Sequence, residues 1–226
     1  MRLPTTPAST LWRSLRDEVR QHNRRGRVLI GVDGIDGAGK TTFAGNLAKV
    51  FAEEDVAVFH ASLDDFHRPR ADRYARGRRS PEGHYRDSYD LTTFRRVLVD
   101  PFRGGGDVGT GFQLRAFDLD RDAPVEADWT TAPRDAYLIV DGLFLHRPEL
   151  RGLWHWSVWL DVPVDVAYAR MAARDGTDPD PAAPSNARYR QGFELYLRDG
   201  DPRAAASAIV DNTDPAAPTR VYRDFC

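Results

Sequence analysis

Apolar residues along the chain alternate between short continuous runs and stripes of helical spacing. Leu11, Trp12, Leu15 and Val19 share one face, so residues 9–25 predict an amphipathic helix, capped by Ser9 or Thr10 and ended by Gly26. Arg27–Val32 reads as a buried strand. A glycine-rich turn follows, and Phe43, Leu47, Val50 and Phe51 give a helix from about Thr41 to Glu54. Val56–Phe59 is the next strand. Residues 62–90 are polar and irregular, with a short helix near Asp72–Arg79. Leu91–Val99 reads as helix and stops at Asp100-Pro101, because proline lacks the backbone donor that a helix interior needs. Gly104–Gly106 is a turn, and Phe112–Phe117 is extended. Tyr137–Val140 is a central strand ending at Asp141-Gly142, and Trp154–Val162 is another. Pro163 opens a helix through Arg174. Residues 176–186, with Gly176, Pro179, Pro181 and Pro184, read as a mobile loop. Ala187–Leu197 is helical, and Ala208–Val210 is the last strand. Strands alternating with helices predict an α/β fold, a parallel β-sheet flanked by helices on both faces. The expectation is one domain over 1–226 with a small lid-like region at 170–190.

Composition narrows the function classes. The 226 residues are 41% hydrophobic and 29% charged, enough to bury a core and unlike a disordered tail. A net charge of −2, from 32 basic and 34 acidic residues, argues against a general nucleic-acid binder. The single cysteine, Cys226, excludes an intrachain disulfide framework and a cysteine-ligated metal cluster. No apolar run approaches the roughly 20 residues that cross a bilayer, and Met1-Arg2-Leu3-Pro4 does not resemble a secretory signal. A cytoplasmic protein without nucleic-acid or membrane partners is expected, with a homo-oligomer left open.

Lysine occurs only at Lys40 and Lys49; every other basic residue is arginine. Lys40 falls inside Gly34-Ile35-Asp36-Gly37-Ala38-Gly39-Lys40-Thr41, which fits G-x-x-x-x-G-K-[ST] between an apolar strand and a helix. Glycines let backbone N–H groups converge on phosphate oxygens, and the helix N-terminus adds its dipole. Lys40 would reach the β- and γ-phosphates of ATP, and the Thr41 hydroxyl would ligate Mg²⁺. A P-loop NTPase fold is the expectation, with Gly34 to Thr42 as the nucleotide site. A guanine-reading N-K-x-D element is missing: Asn212-Thr213-Asp214 lacks its lysine.

Beyond the loop, the chain resembles the phosphoribulokinase/uridine kinase family of P-loop kinases. The resemblance runs through Thr42-Phe43, Asp64-Asp65-Phe66-His67-Arg68, Glu82–Asp90 ending Asp87-Ser88-Tyr89-Asp90, and Ile139-Val140-Asp141-Gly142-Leu143-Phe144. It continues in Leu160-Asp161-Val162-Pro163, Arg170 with Arg174-Asp175, and Val210-Asp211-Asn212. By this resemblance Asp64 is the general base, His67 contacts the acceptor, and Tyr85, Arg86 and Asp87 belong to the acceptor-binding stretch. Asp141 matches the acidic residue that holds Mg²⁺ or its water, although the family often has glutamate there. Arg170 and Arg174, at i and i+4 on one helix face, match lid arginines that neutralise the transferring phosphate.

The implied activity is ATP- and Mg²⁺-dependent phosphoryl transfer to a small-molecule hydroxyl, with uridine or cytidine as the first acceptor. The nucleoside-reading positions depart from the family's pattern. His84 or Tyr85 stands where an acidic residue meets ribose hydroxyls, and Phe117–Asp122 offers no base-reading histidine. A sugar or sugar-phosphate kinase is the alternative, as is a nucleotide-binding regulatory module without acceptor chemistry. Arg68, Arg70, Arg73, Arg76, Arg78, Arg79 and Arg86 face only Asp72 and Glu82 in sequence, so a phosphate or carboxylate on the acceptor stands beside a plain solvated basic flap.

Overall fold

The computed structural model describes residues 2–105 and 111–222; Gly106 of the expected turn and Cys226 lie outside them. Helix α1 (Pro7–His22) starts one turn ahead of its expected caps. Thr6 accepts from the Ser9 N–H while Ser9 accepts from the Thr6 N–H, so Ser9 closes a capping box from inside the helix. Asn23, doubly bonded to the Val19 carbonyl, ends it. Gly26, at φ +89°, instead turns the chain into β1 (Arg27–Gly34).

Next come α2 (Lys40–Ala52) and β2 (Ala57–Ser62), each close to expectation. The irregular segment holds a 3₁₀ turn at Leu63–Phe66, α3 (Arg70–Arg73) and α4 (Pro81–Asp87). The helix expected near Asp72–Arg79 is thus broken. Gly77 takes φ +96°, and Ser80 with Pro81 starts a new helix, the Ser80 hydroxyl accepting from the Gly83 N–H.

Pro101 does not stop its helix either. α5 (Leu91–Phe94) runs through a π-turn at Arg95–Val99 into α6 (Asp100–Gly104), the Asp100 N–H reaching back to the Arg95 carbonyl. The widened turn carries the helix past the residue that has no N–H to give.

β3 (Phe117–Asp118) and β4 (Ala123–Pro124) form a small hairpin. They are followed by β5 (Ala136–Asp141), β6 (Trp156–Asp161), α7 (Val164–Asp175) and α8 (Ala187–Gly200). The chain closes on β7 (Ala208–Asp211) and an unexpected antiparallel edge strand, β8 (Thr219–Val221). The segment expected as a mobile loop before α8 winds round buried Asn186, whose amide donates to the carbonyls of Asp178 and Asp180.

The main sheet has the order β2-β5-β1-β6-β7-β8, and its first five strands are parallel. Val28, Ile30 and Val32 pack one face against α1 and α2 through Leu15, Val19, Phe43 and Leu47. On the other face, Leu29 and Leu138 meet Phe94, Phe102, Phe144 and Tyr196. Both faces are covered, as a parallel sheet requires. Fully buried Asp33 accepts from His146 Nδ1 at 2.8 Å and from the Tyr196 hydroxyl, tying the end of β1 to α8. No helix of the described residues is long and apolar enough to cross a membrane.

α1 is pinned to α2 by buried Glu53, which accepts from Arg13 Nε at 2.8 Å and from the Leu3 N–H at 2.7 Å. The Arg13 bonds, followed by that of Leu3, outweigh burial and hold the Glu53 carboxyl down at about 2 against an ordinary 4.5. A depressed acid stabilises above its unfolded pKa and loses that contribution as pH falls toward its folded one. Thermal unfolding midpoints should therefore drop as pH falls from about 4.5 to about 2, and Glu53→Gln should flatten that part of the profile. An unchanged slope in the variant would remove Glu53 from the acid response.

Candidate active site

The loop between β1 and α2 is shaped by contacts that only glycine permits. Gly37 has φ +78°, and a Cβ there would stand 2.2 Å from the Ala167 carbonyl oxygen. Gly37→Ala should therefore cost about 3 kcal/mol, combining left-handed strain with overpacking. The result to look for is a lower thermal midpoint together with lost nucleotide binding. Gly39, at φ +85°, leads into α2. Asn212 Nδ2 donates to the Ala38 carbonyl at 2.7 Å, and Lys40 Nζ folds back onto the Ile35 carbonyl at 3.0 Å. One ammonium thus stands at the mouth of a helix, where a loop of this sequence pattern offers its backbone N–H groups to phosphate oxygens.

Parallel register brings the end of β5 beside this loop. Ser62 of β2 pairs with Asp141, and Val32 of β1 pairs with the same residue from the other side. Asp141, only 1% exposed, accepts from the Thr41 hydroxyl at 2.7 Å and the Ser62 hydroxyl at 3.2 Å, and His60 Nε2 lies 2.6 Å from its other oxygen. One buried carboxylate beside one exposed hydroxyl at a P-loop is a hard-oxygen set of the kind Mg²⁺ takes, with substrate phosphates and water completing the shell. The residues fit the ion: Thr41 and Asp141 would hold it, and it would offset charge on the transferring phosphate. His60 and Ser62 escaped the sequence reading, because a lone histidine in a strand carries no spacing signal.

Asp64 sits on the 3₁₀ turn directly after β2. Its carboxylate is exposed and accepts from the Tyr89 hydroxyl at 3.0 Å. Burial first, then the nearby charge of Asp64, pushes the Tyr89 phenol well up, so it stays a donor. With three residues per turn, His67 comes round beneath Asp64; its Nδ1 donates to the Asp64 carbonyl at 2.8 Å, and its ring lies 4.6 Å from that of Tyr89. Burial lowers the His67 pKa, although the charge of Asp64 opposes it. An extended segment would have set Asp64 and Phe66 on one side. Instead Phe66 turns into the core against Phe94, and Asp65 faces Arg115 at 3.8 Å. Burial raises the Asp65 carboxyl above its ordinary range, although Arg115 opposes it.

The remaining positions divide. Arg174 is exposed and bidentate to Asp175; those bonds, with smaller contributions from Asp36 and Asp64, raise its pKa. Arg170 turns the other way. Its guanidinium donates to the carbonyls of Gly37, Asn212 and Thr213, so in this structure it braces the loop from behind. Tyr85 is not at the surface. It is 1% exposed, packed on Phe144 and Tyr196, and burial pushes its phenol up to about 12. Arg86 points outward to Glu82 and Asp199, and Asp87 pairs with Arg76. α4 winds Tyr85 inward and leaves Tyr89, four residues on, to meet Asp64. His84 is buried, its Nε2 has no hydrogen-bond partner among the described residues, and burial lowers its pKa to about 3.

No family model matches the chain. Among curated proteins, a uridine kinase of Clostridium botulinum is 24% identical over 148 residues, covering 66% of this chain and 68% of its own. Among solved structures, a possible uridine kinase from Bacillus stearothermophilus superposes with a TM-score of 0.64 at 22% identity, over 87% of this chain and 98% of its own. Phosphoribulokinase from Rhodobacter spheroides gives a TM-score of 0.55 at 19% identity, over 82% of this chain and 70% of its own. In fold the chain is an α/β protein with a P-loop, built like these kinases, and in sequence and motif order it resembles the phosphoribulokinase/uridine kinase family.

Proposed function

We propose that this protein is a kinase that uses ATP and Mg²⁺ to phosphorylate a hydroxyl of a small molecule. The observation that carries the reading is the separation of two carboxylates around one loop. Asp141 is buried against Thr41, while Asp64 is exposed and held at one oxygen by Tyr89. The first serves the cation, and the second is left to orient an acceptor hydroxyl and take its proton. Phosphoryl transfer depends mostly on positioning and on charge around the phosphate, which the loop, Lys40 and Arg174 would provide. The domain is read as one unit, with 170–190 acting as a lid.

Uridine and cytidine are the first acceptors to try, because the curated relatives are uridine kinases. A sugar phosphate is the second reading, favoured by Arg78 and Arg79, whose side chains meet no carboxylate among the described residues. A coupled ADP-release screen over nucleosides, sugars, sugar phosphates and vitamins tests both. ADP release that no acceptor raises above water-driven hydrolysis would overturn the kinase reading. Within it, Asp141→Asn should raise the Mg²⁺ concentration for half-maximal rate by about tenfold or more. Magnesium titrations of the two proteins at fixed ATP measure this directly.

A further inference from the structure

The arginine-rich stretch sorts itself in the structure. Arg73 is paired with Asp122, Arg76 with Asp87 and Arg86 with Glu82. Among the described residues, the side chains of Arg78 and Arg79 meet neither a carboxylate nor a hydrogen-bond acceptor. Both line a cavity of about 500 Å³ with Tyr74, Ser185, Arg188 and Tyr189, between the turn after α3 and the first turn of α8. No acidic side chain lines it.

Arg188 is fixed in the wall. Its guanidinium lies 4.9 Å from the Tyr74 ring centre, and Nη1 donates to the Arg78 carbonyl at 2.9 Å. Its Nε is buried without a hydrogen-bond partner among the described residues. A buried donor left unmade is costly, and three cations around one hollow repel each other. A single oxyanion relieves both, and a planar guanidinium fork suits phosphate or carboxylate.

A run of packed rings leads from the hollow toward the chemistry. Tyr189 meets the His84 ring edge-on at 5.0 Å, His84 meets Phe144 at 5.3 Å, and Phe144 lies 6.4 Å from Tyr89, whose hydroxyl donates to Asp64. We propose that the cavity walled by Arg78, Arg79 and Arg188 is an anion subsite for the acceptor, which carries a phosphate or carboxylate there while its hydroxyl lies at Asp64. This rests on the kinase reading and narrows its acceptor from any alcohol to an anionic one. The volume admits the anion together with a short carbon chain.

The test compares matched probes on the full-length protein with ADP and Mg²⁺ present: ribose 5-phosphate against ribose, and D-glycerate against glycerol. Calorimetric binding and ATP turnover are both read. At least one anionic probe should bind at least about tenfold more tightly than its neutral partner, and the pair that does so tells phosphate from carboxylate. The R78Q/R79Q double variant, altered at exposed positions, should erase that preference while leaving the ATP KM unchanged. Raising salt should weaken the anionic probes alone. Equal binding of neutral and anionic partners, or a preference that survives R78Q/R79Q, overturns the subsite. So does an anion that competes with ATP, since it would then occupy the nucleotide loop. Anion binding that R78Q/R79Q abolishes, with no turnover of any probe or any acceptor in the screen, upholds the pocket and overturns the kinase reading instead.

Discussion

Asp64→Asn should lower kcat by roughly a hundredfold or more while leaving the ATP KM nearly unchanged. The substitution keeps the shape that Tyr89 holds at 3.0 Å and removes the basic carboxylate. What is lost is the proton acceptor and the alignment of the attacking hydroxyl, both felt in the transition state rather than in nucleotide binding. Asp65→Asn supplies the contrast. Asp65 looks toward Arg115 at 3.8 Å, whereas Tyr89 bonds Asp64, so its variant should retain most activity. Steady-state kinetics on the two purified variants decide between them. The reverse ranking would move the base to Asp65 and undo the reading of the 3₁₀ turn.

The second large effect is expected at the loop itself. Lys40→Ala should reduce kcat/KM by at least about a hundredfold, comparable to losing a charge-stabilising group around a developing oxyanion. Its folding cost is far smaller. Among the described residues the ammonium is bonded only to the Ile35 carbonyl at 3.0 Å, and a hydrogen bond of that kind contributes about 1.5–3 kcal/mol. Turnover and thermal unfolding measured on the same preparation separate the two. Near-normal turnover would disprove the phosphate role, and outright unfolding would show the lysine to be structural.

Much of this was legible in the sequence, and the reasons differ by element. The β1–loop–α2 unit was readable because Gly37 and Gly39 take backbone angles and close approaches that other residues do not tolerate, so composition carries geometry there. Asp141 was readable because a carboxylate ending an apolar strand beside such a loop has few neighbours to choose from. Tyr85 and Tyr89 were not separable. Both turn inward, and α4 is only two turns long, too short for a stripe to show that Tyr89, just past its end, is the one that reaches Asp64. Pro101 misled because its ordinary effect was absorbed by a widened turn, and nothing local announces a π-turn. Arg170 misled in another way. Its spacing from Arg174 sets both on one helix side, but three backbone carbonyls within reach claim one guanidinium and leave the other exposed.

The three groups gathered on Asp141 bear on how the chain matures. A buried carboxylate lacking partners would make folding wait for a cation, as in domains that collapse only around their metal. Here Thr41, Ser62 and His60 already surround both oxygens. Newly made protein can therefore reach its native state before it meets magnesium. Melting curves recorded in chelator and in millimolar Mg²⁺, with nucleotide left out, should superimpose.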